Sequence, residues 1–443
     1  MSSRPRVRAV STATTTAGTA LAAALALAAC GTGGGGTAAA RPSADPNAKI
    51  VVWADATRVP MVQEYQKAHP AAKIDLVTIP NESGYIETKV QLANRSGRGW
   101  PDVVFTGENI ATLQAKPYDW AAPLDGKVKQ DVVGQFAKSS VSNCTIEGHL
   151  YCLQNDIAQT VLWYDKGLMK QFGYAVPKTW KEYQELGAKV AADHPGYVVG
   201  ALGAHGMLFT YYQSSGCPMT DAQSSTTVRI NATAVECTRV NDLLQPMLDN
   251  GSVSRLDEFD PAFVALGTKR KILMLPFASW AGDFAFKPTY KTPAGQLAAA
   301  PMPTWEGEST GYSGAVGGGV WAVGKHAANP QGAVDLITWL TTDVGLQSKQ
   351  PTYPAFRPAA KAWMAGKAND PYYAEDPSPV FEAQADLIRE NWKYTRYAAT
   401  VINGYNETVA KGIQDKQPLA GLLPKYAEQL TQAAKDAGYT VVQ

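Results

Sequence analysis

The chain has 443 residues, 45% of them hydrophobic, with 40 Lys and Arg against 39 Asp and Glu. Three of the basic residues, Arg4, Arg6 and Arg8, stand at the extreme N-terminus, which leaves 37 against 39 over the rest. Such a balance gives no support to nucleic-acid binding or to a charged membrane surface as partner. About 400 residues remain beyond the N-terminal segment, too many for one core, so two lobes are expected.

Residues 1–29 read as an export leader. The three arginines supply a positive start, small and apolar residues fill positions 17–29, and no acid occurs before Cys30. A transmembrane span is the competing reading, but this Ala- and Thr-rich run is short and weakly apolar for a bilayer. The segment ends Leu27-Ala28-Ala29-Cys30, which looks like a bacterial lipobox. Cys30 would then be the lipidated first residue of the mature protein, each buried CH₂ adding roughly 0.8 kcal/mol of anchoring. Ordinary cleavage nearby, with an idle cysteine, is the plainer alternative. Residues 30–48, with glycines at 33–36, read as a flexible tether.

Four cysteines remain: Cys144, Cys152, Cys217 and Cys237. An even number in an exported protein suggests two disulfides. Pairing Cys144 with Cys152 and Cys217 with Cys237 closes two short local loops. A zinc site is the alternative, but the chain has no Cys-x-x-Cys and its five histidines are scattered. No metal or cofactor is expected.

Ile50-Val51-Val52-Trp53 is an apolar, β-prone run followed by Asp55 and Arg58, and Pro60 opens a helical stretch. Residues 73–79 read as a second strand and 85–94 as a helix with Ile86, Val90 and Ala93 on one face. Pro101-Asp102-Val103-Val104-Phe105 is a third strand, leading to Glu108 and Asn109. This β-α-β-α-β order implies a doubly wound parallel α/β sheet. Ligands of such sheets sit beyond the carboxyl ends of the strands, which points to Asp55, Arg58, Glu108 and Asn109.

Residues 156–190 hold three signals in a row. Thr160-Val161-Leu162-Trp163-Tyr164 is a buried strand. A short segment broken by Gly173 and Pro177 follows. Thr179 and Glu182 then have capping-box spacing, ahead of a helix with Tyr183, Leu186 and Val190 on one face. This order of apolar strand, Tyr-Asp-Lys, short segment, Pro-Lys-Thr-Trp and helix resembles the carbohydrate-binding proteins of bacterial ABC importers, the family of maltose-binding protein. There it marks where the chain has crossed into the second lobe.

Other blocks carry the same resemblance. Residues 50–53 and Pro101-Asp102-Val103-Val104 look like the family's first and third strands, and Arg58 falls where a ligand-contacting lysine stands. Glu108 and Asn109 lie in a loop that supplies sugar-hydroxyl acceptors, and Asp156 and Gln159 where the family places polar contacts. Residues 271–275 read as a strand delivering Trp280 and Asp283 in a Gly-containing loop, similar to the segment whose Trp stacks on a sugar. Residues 298–347 run from Pro-Met-Pro through glycines at 317–319 to Val320-Trp321-Ala322-Val323 and a helix at 330–340, the order of the family's return to the first lobe. Residues 351–358, with Tyr353 and Arg357, resemble its next crossover, and 359–443 read as mostly helical.

The resemblance implies a two-lobed periplasmic-binding-protein-like fold of type II, with doubly wound sheets, several crossover segments and a hinged cleft. The lobes would comprise 49–157 and 305–352 on one side and 158–304 and 353–443 on the other. It implies a monomeric, non-catalytic receptor that passes a mono- or oligosaccharide to an ABC permease from the outer face of the cytoplasmic membrane. Trp280 would be the stacking platform, with Glu108, Asp156 and Asp283 as acceptors and Arg58 as donor. Tyr312 and Trp321 would be walls, and Arg357 a closing contact. Two rivals remain: a secreted glycoside hydrolase, which needs two carboxylates across one bond, and the same fold binding a non-sugar solute.

Overall fold

In the computed structural model, the described residues are 44–443 without Ser83, Glu108 and Asn391. Cys30, the leader and most of the tether therefore lie outside them, as does Glu108.

The first sheet has five strands in the order Ile74–Thr78, Ile50–Ala54, Val103–Thr106, Val320–Val323, Cys152–Gln154. Its first three strands are parallel. Val320–Val323 runs antiparallel to Val103–Thr106, and Cys152–Gln154 antiparallel to it in turn. The expected parallel strands are thus three of the five in a mixed sheet. Alternation along Ile50–Ala54 buries Ile50, Val52 and Ala54, and the adjoining helix Val59–Ala68 adds Met61, Val62 and Tyr65. Helix Tyr85–Ser96 buries Ile86, Val90 and Ala93, the face its spacing predicts.

The second sheet is built on Thr160–Asp165, buried at every position. It runs between Met274–Ala278 and Leu297–Ala300, antiparallel to both. Trp163 at its centre packs against Phe286, Tyr373 and Phe381. The sequence places the Met274–Ala278 strand three residues early, ending it before Pro276. Proline is accommodated inside because this is an edge strand, where a missing N–H costs no ladder bond. Helix Trp180–Asp193 follows, and its Thr179–Glu182 capping box is formed in both directions.

Three segments pass between the two sheets. Asp156–Ile157 pairs with Tyr353–Pro354, and Gln159 bridges to Ala315. Both expected disulfides are present, Cys144–Cys152 and Cys217–Cys237. By loop-closure entropy such links contribute about 2–4 kcal/mol each. The C-terminal part is helical as expected, apart from Thr440–Val442, which joins Thr227–Arg229.

Candidate functional site

The carboxyl ends of the parallel strands open on a cleft of about 560 Å³. One wall comes from the first sheet. Asp55 follows Ala54, and its Oδ1 accepts the backbone N–H groups of Thr57 (2.8 Å) and Arg58 (3.0 Å), which fixes the turn. Arg58 donates to Asp156 Oδ1 at 3.1 Å and lies 4.5 Å from the centroid of the Phe105 ring. Asn155 donates to the same Asp156 oxygen at 2.9 Å. Asn109, which is bonded to Thr106, lines the cleft beside them.

The facing wall is aromatic. Trp280 follows the Met274–Ala278 strand, and its indole N–H donates to Val316 O at 2.8 Å, which pins the ring by one edge. Phe259 is 46% exposed and nearly parallel to Trp280, with 6.4 Å between centroids. Phe284 also lines this side, edge-on to Trp280. The floor is the glycine run. Gly318 has φ near 101°, and a Cβ there would sit 2.9 Å from Gln154 Nε2 and 3.0 Å from Asp156 O. A Cβ on Gly319 would overlap the Phe105 ring at 1.9 Å. Only bare backbone fits both places.

The structure brings Asp55, Arg58, Asn109, Asp156 and Trp280 into one cleft. It puts the other expected contacts among the described residues elsewhere. Gln159 is buried, donating to Phe381 O at 2.9 Å and accepting from Ser279, so its amide is spent on the crossing segment. Trp321 is also buried, edge-on to Phe105, because Val320–Val323 is an interior strand covered on both faces. Asp283 is ion-paired with Lys367 at 2.5 Å. Tyr312 lies under the Arg389 guanidinium at 3.7 Å. Tyr353 belongs to a crossing strand, and with the exposed Arg357, 3.8 Å from Asp386, it lines a different groove.

Sequence reasoning missed Phe105, Phe259, Phe284, Glu87 and His205, which also line the cleft. Phe259 did leave a signal: a large ring set among Asp257, Glu258 and Asp260 just before a helix. His205 has its pKa lowered, chiefly by burial and against the pull of Asp257, so it favours the neutral form. Among the described residues, no group of three or more His, Cys, Asp or Glu is arranged to hold a metal ion.

A family model described as bacterial extracellular solute-binding protein matches residues 51–347, well over half of the chain. The chain belongs to that family. Two curated solute-binding relatives align over part of their length. One is the lactose-binding protein of Rhizobium radiobacter, 30% identical over 182 residues, 39% of this chain and 40% of that one. The other is the arabinooligosaccharide-binding protein of Bacillus subtilis (strain 168), 28% identical over 138 residues, 30% of this chain and 31% of that one. The matched stretch is thus less than half of either relative. Among solved solute-binding structures, the galacto-N-biose-/lacto-N-biose I-binding protein of the ABC transporter from Bifidobacterium longum, in complex with lacto-N-biose, superposes with a TM-score of 0.78. It covers 90% of this chain and 100% of that one at 18% identity, a likeness of fold. The architecture is the two-lobed one of this family.

Proposed function

We propose that this solute-binding protein captures a sugar or oligosaccharide in its cleft and delivers it to an ABC permease, without chemistry on the ligand. One observation carries the reading. An aromatic wall of Trp280, Phe259 and Phe284 faces a wall of fixed polar groups, Asp55, Arg58, Asn109 and Asp156, across about 560 Å³. Sugars present apolar C–H faces and a rim of hydroxyls, and such a pair of walls meets both. The lactose- and arabinooligosaccharide-binding relatives support the ligand class.

Binding without catalysis suits the carboxylates. Asp156 accepts from Arg58 and Asn155, and Asp283 is engaged by Lys367 away from the cleft. Neither is arranged as a proton donor across a glycosidic bond. The lipidated Cys30, the tether of 30–48, the monomeric state, the lobe boundaries and a position on the outer face of the cytoplasmic membrane complete the proposal. A Cys30→Ala variant should leave the membrane fraction, and retention there would remove the anchor. The ligand class is tested by a thermal-shift screen against mono- and oligosaccharides. A ligand at 100 times its Kd stabilises by about 2.7 kcal/mol. A shift with a sugar recovered intact supports the receptor, a cleaved sugar replaces it with a hydrolase, and no shift with any sugar sinks the ligand class.

A further inference from the structure

The charges of the cleft do not balance. Among the described residues its lining carries four carboxylates, Asp55, Glu82, Glu87 and Asp156, against one guanidinium, Arg58. Arg58 is already committed to Asp156, and Asp55 is held by backbone N–H groups. His205 adds no compensating charge near neutrality, since burial lowers its pKa.

Glu87 is the group that asks for an explanation. It sits in the first turn of helix Tyr85–Ser96 and is 7% exposed, yet its Oε2 is buried without a hydrogen-bond partner. The helix N-terminus favours a carboxylate in this turn only weakly. Leaving a buried charged oxygen unmet costs more than that. A ligand donor at this position would offset the cost. A neutral hydroxyl would serve, but a cation would serve better, because it also answers the surplus of negative charge.

We propose that the cleft is built for a sugar bearing a protonated amine, with Glu87 as the carboxylate that receives it. The inference rests on the sugar-binding reading and narrows it to amino sugars. Its probes are glucosamine oligosaccharides, their N-acetylated counterparts and glucose oligosaccharides of the same length and linkage. They share ring and hydroxyls and differ in charge at one carbon. Spermidine serves as an amine without a sugar.

Affinities of the full chain are measured by calorimetry at about pH 6 and about pH 9, which bracket the titration of such an amine. The free-amine sugar is expected to bind at least about tenfold more tightly than both neutral series at the lower pH. That preference should vanish at the higher pH and in Glu87→Gln, which keeps the shape and an acceptor but removes the charge. The pH arm needs no variant, so the test survives if Glu87→Gln does not fold. Equal or tighter binding of the neutral sugars overturns the inference and leaves the sugar receptor standing. A preference that persists in folded Glu87→Gln overturns the role of Glu87. Spermidine binding without any of these sugars keeps the cation subsite and overturns the amino-sugar inference, and binding of none of the probes overturns that inference while leaving the sugar reading to the wider sugar screen.

Discussion

Arg58 and Asp156 meet at 3.1 Å on the first-sheet wall of the cleft, with side chains 13% and 3% exposed. The pair joins the turn after the first strand to the segment that leaves the first sheet, and Phe105 packs against the guanidinium. Breaking a buried pair leaves a charge uncompensated, at a cost of about 3–5 kcal/mol. Asp156 would keep the Asn155 amide, so Arg58→Ala is expected at the lower end, about 3 kcal/mol. Pairing it with Asp156→Asn should restore part of the loss. Denaturant unfolding of the two single variants and the double variant gives the coupling. A single Arg58→Ala within about 0.5 kcal/mol of the parent would show that the pair holds nothing together.

Trp280 and Phe259 separate binding from stability in different ways. Phe259 is 46% exposed, so its truncation should cost little stability. Trp280 packs edge-on to Phe277 and bonds Val316 O, so Trp280→Ala should cost about 1–3 kcal/mol of stability as well as most of the affinity. Calorimetry with whichever sugar the screen identifies, together with a thermal midpoint, checks both. If Phe259→Ala binds as the parent does, the aromatic wall reduces to Trp280 and Phe284.

Local patterning made the fold legible. The Thr179–Glu182 box forms as its spacing demands, and the alternation of residues 50–54 gives the buried face directly. The candidate site was legible where a residue follows a strand's carboxyl end, as Asp55, Arg58, Asn109, Asp156 and Trp280 do. Trp321 and Gln159 misled because a polar or aromatic residue near a crossing reads the same whether it faces the cleft or the interior. That choice is made by strands distant in sequence. Val103–Thr106 and Cys152–Gln154 flank Trp321, and Phe381 claims Gln159. Glu87 was hidden for the same reason. Its helix was predicted, but that the helix's first turn lines the cleft depends on elements distant in sequence.

The glycine return gives a sharp packing test. A Cβ on Gly319 would stand 1.9 Å from Phe105 Cζ, so Gly319→Ala must displace the Phe105 ring, which packs against Trp321 and Arg58. Overpacking of this kind costs about 1–3 kcal/mol. Because Phe105 lines the cleft, affinity should fall together with stability. Gly307 is the control of the opposite kind: its φ is positive, near 80°, unlike that of Gly319, but nothing lies within 4 Å of a Cβ there. Gly307→Ala should destabilise through backbone strain alone and leave affinity unchanged. Equal effects of the two variants on binding would mean that the close approach at Gly319 does not shape the cleft.

Glu258 makes stability depend on pH. Its side chain is buried with Oε2 unpartnered, and burial, with a further push from Asp257, raises its pKa to about 8. In the unfolded chain the same carboxyl titrates near the usual 4.5. Below that value both states hold the proton and Glu258 costs nothing. Between about 4.5 and about 8 the folded protein keeps a proton that the unfolded chain has released, so folding must take one up. Stability should therefore fall as pH rises through this window, by up to about 1.4 kcal/mol per pH unit from this one group, and level off above it. Glu258→Gln, which is neutral at every pH, should remove that slope. The variant should match the parent near pH 4 and exceed it near pH 8 in thermal midpoint. Parallel pH profiles for the two proteins would place the proton elsewhere.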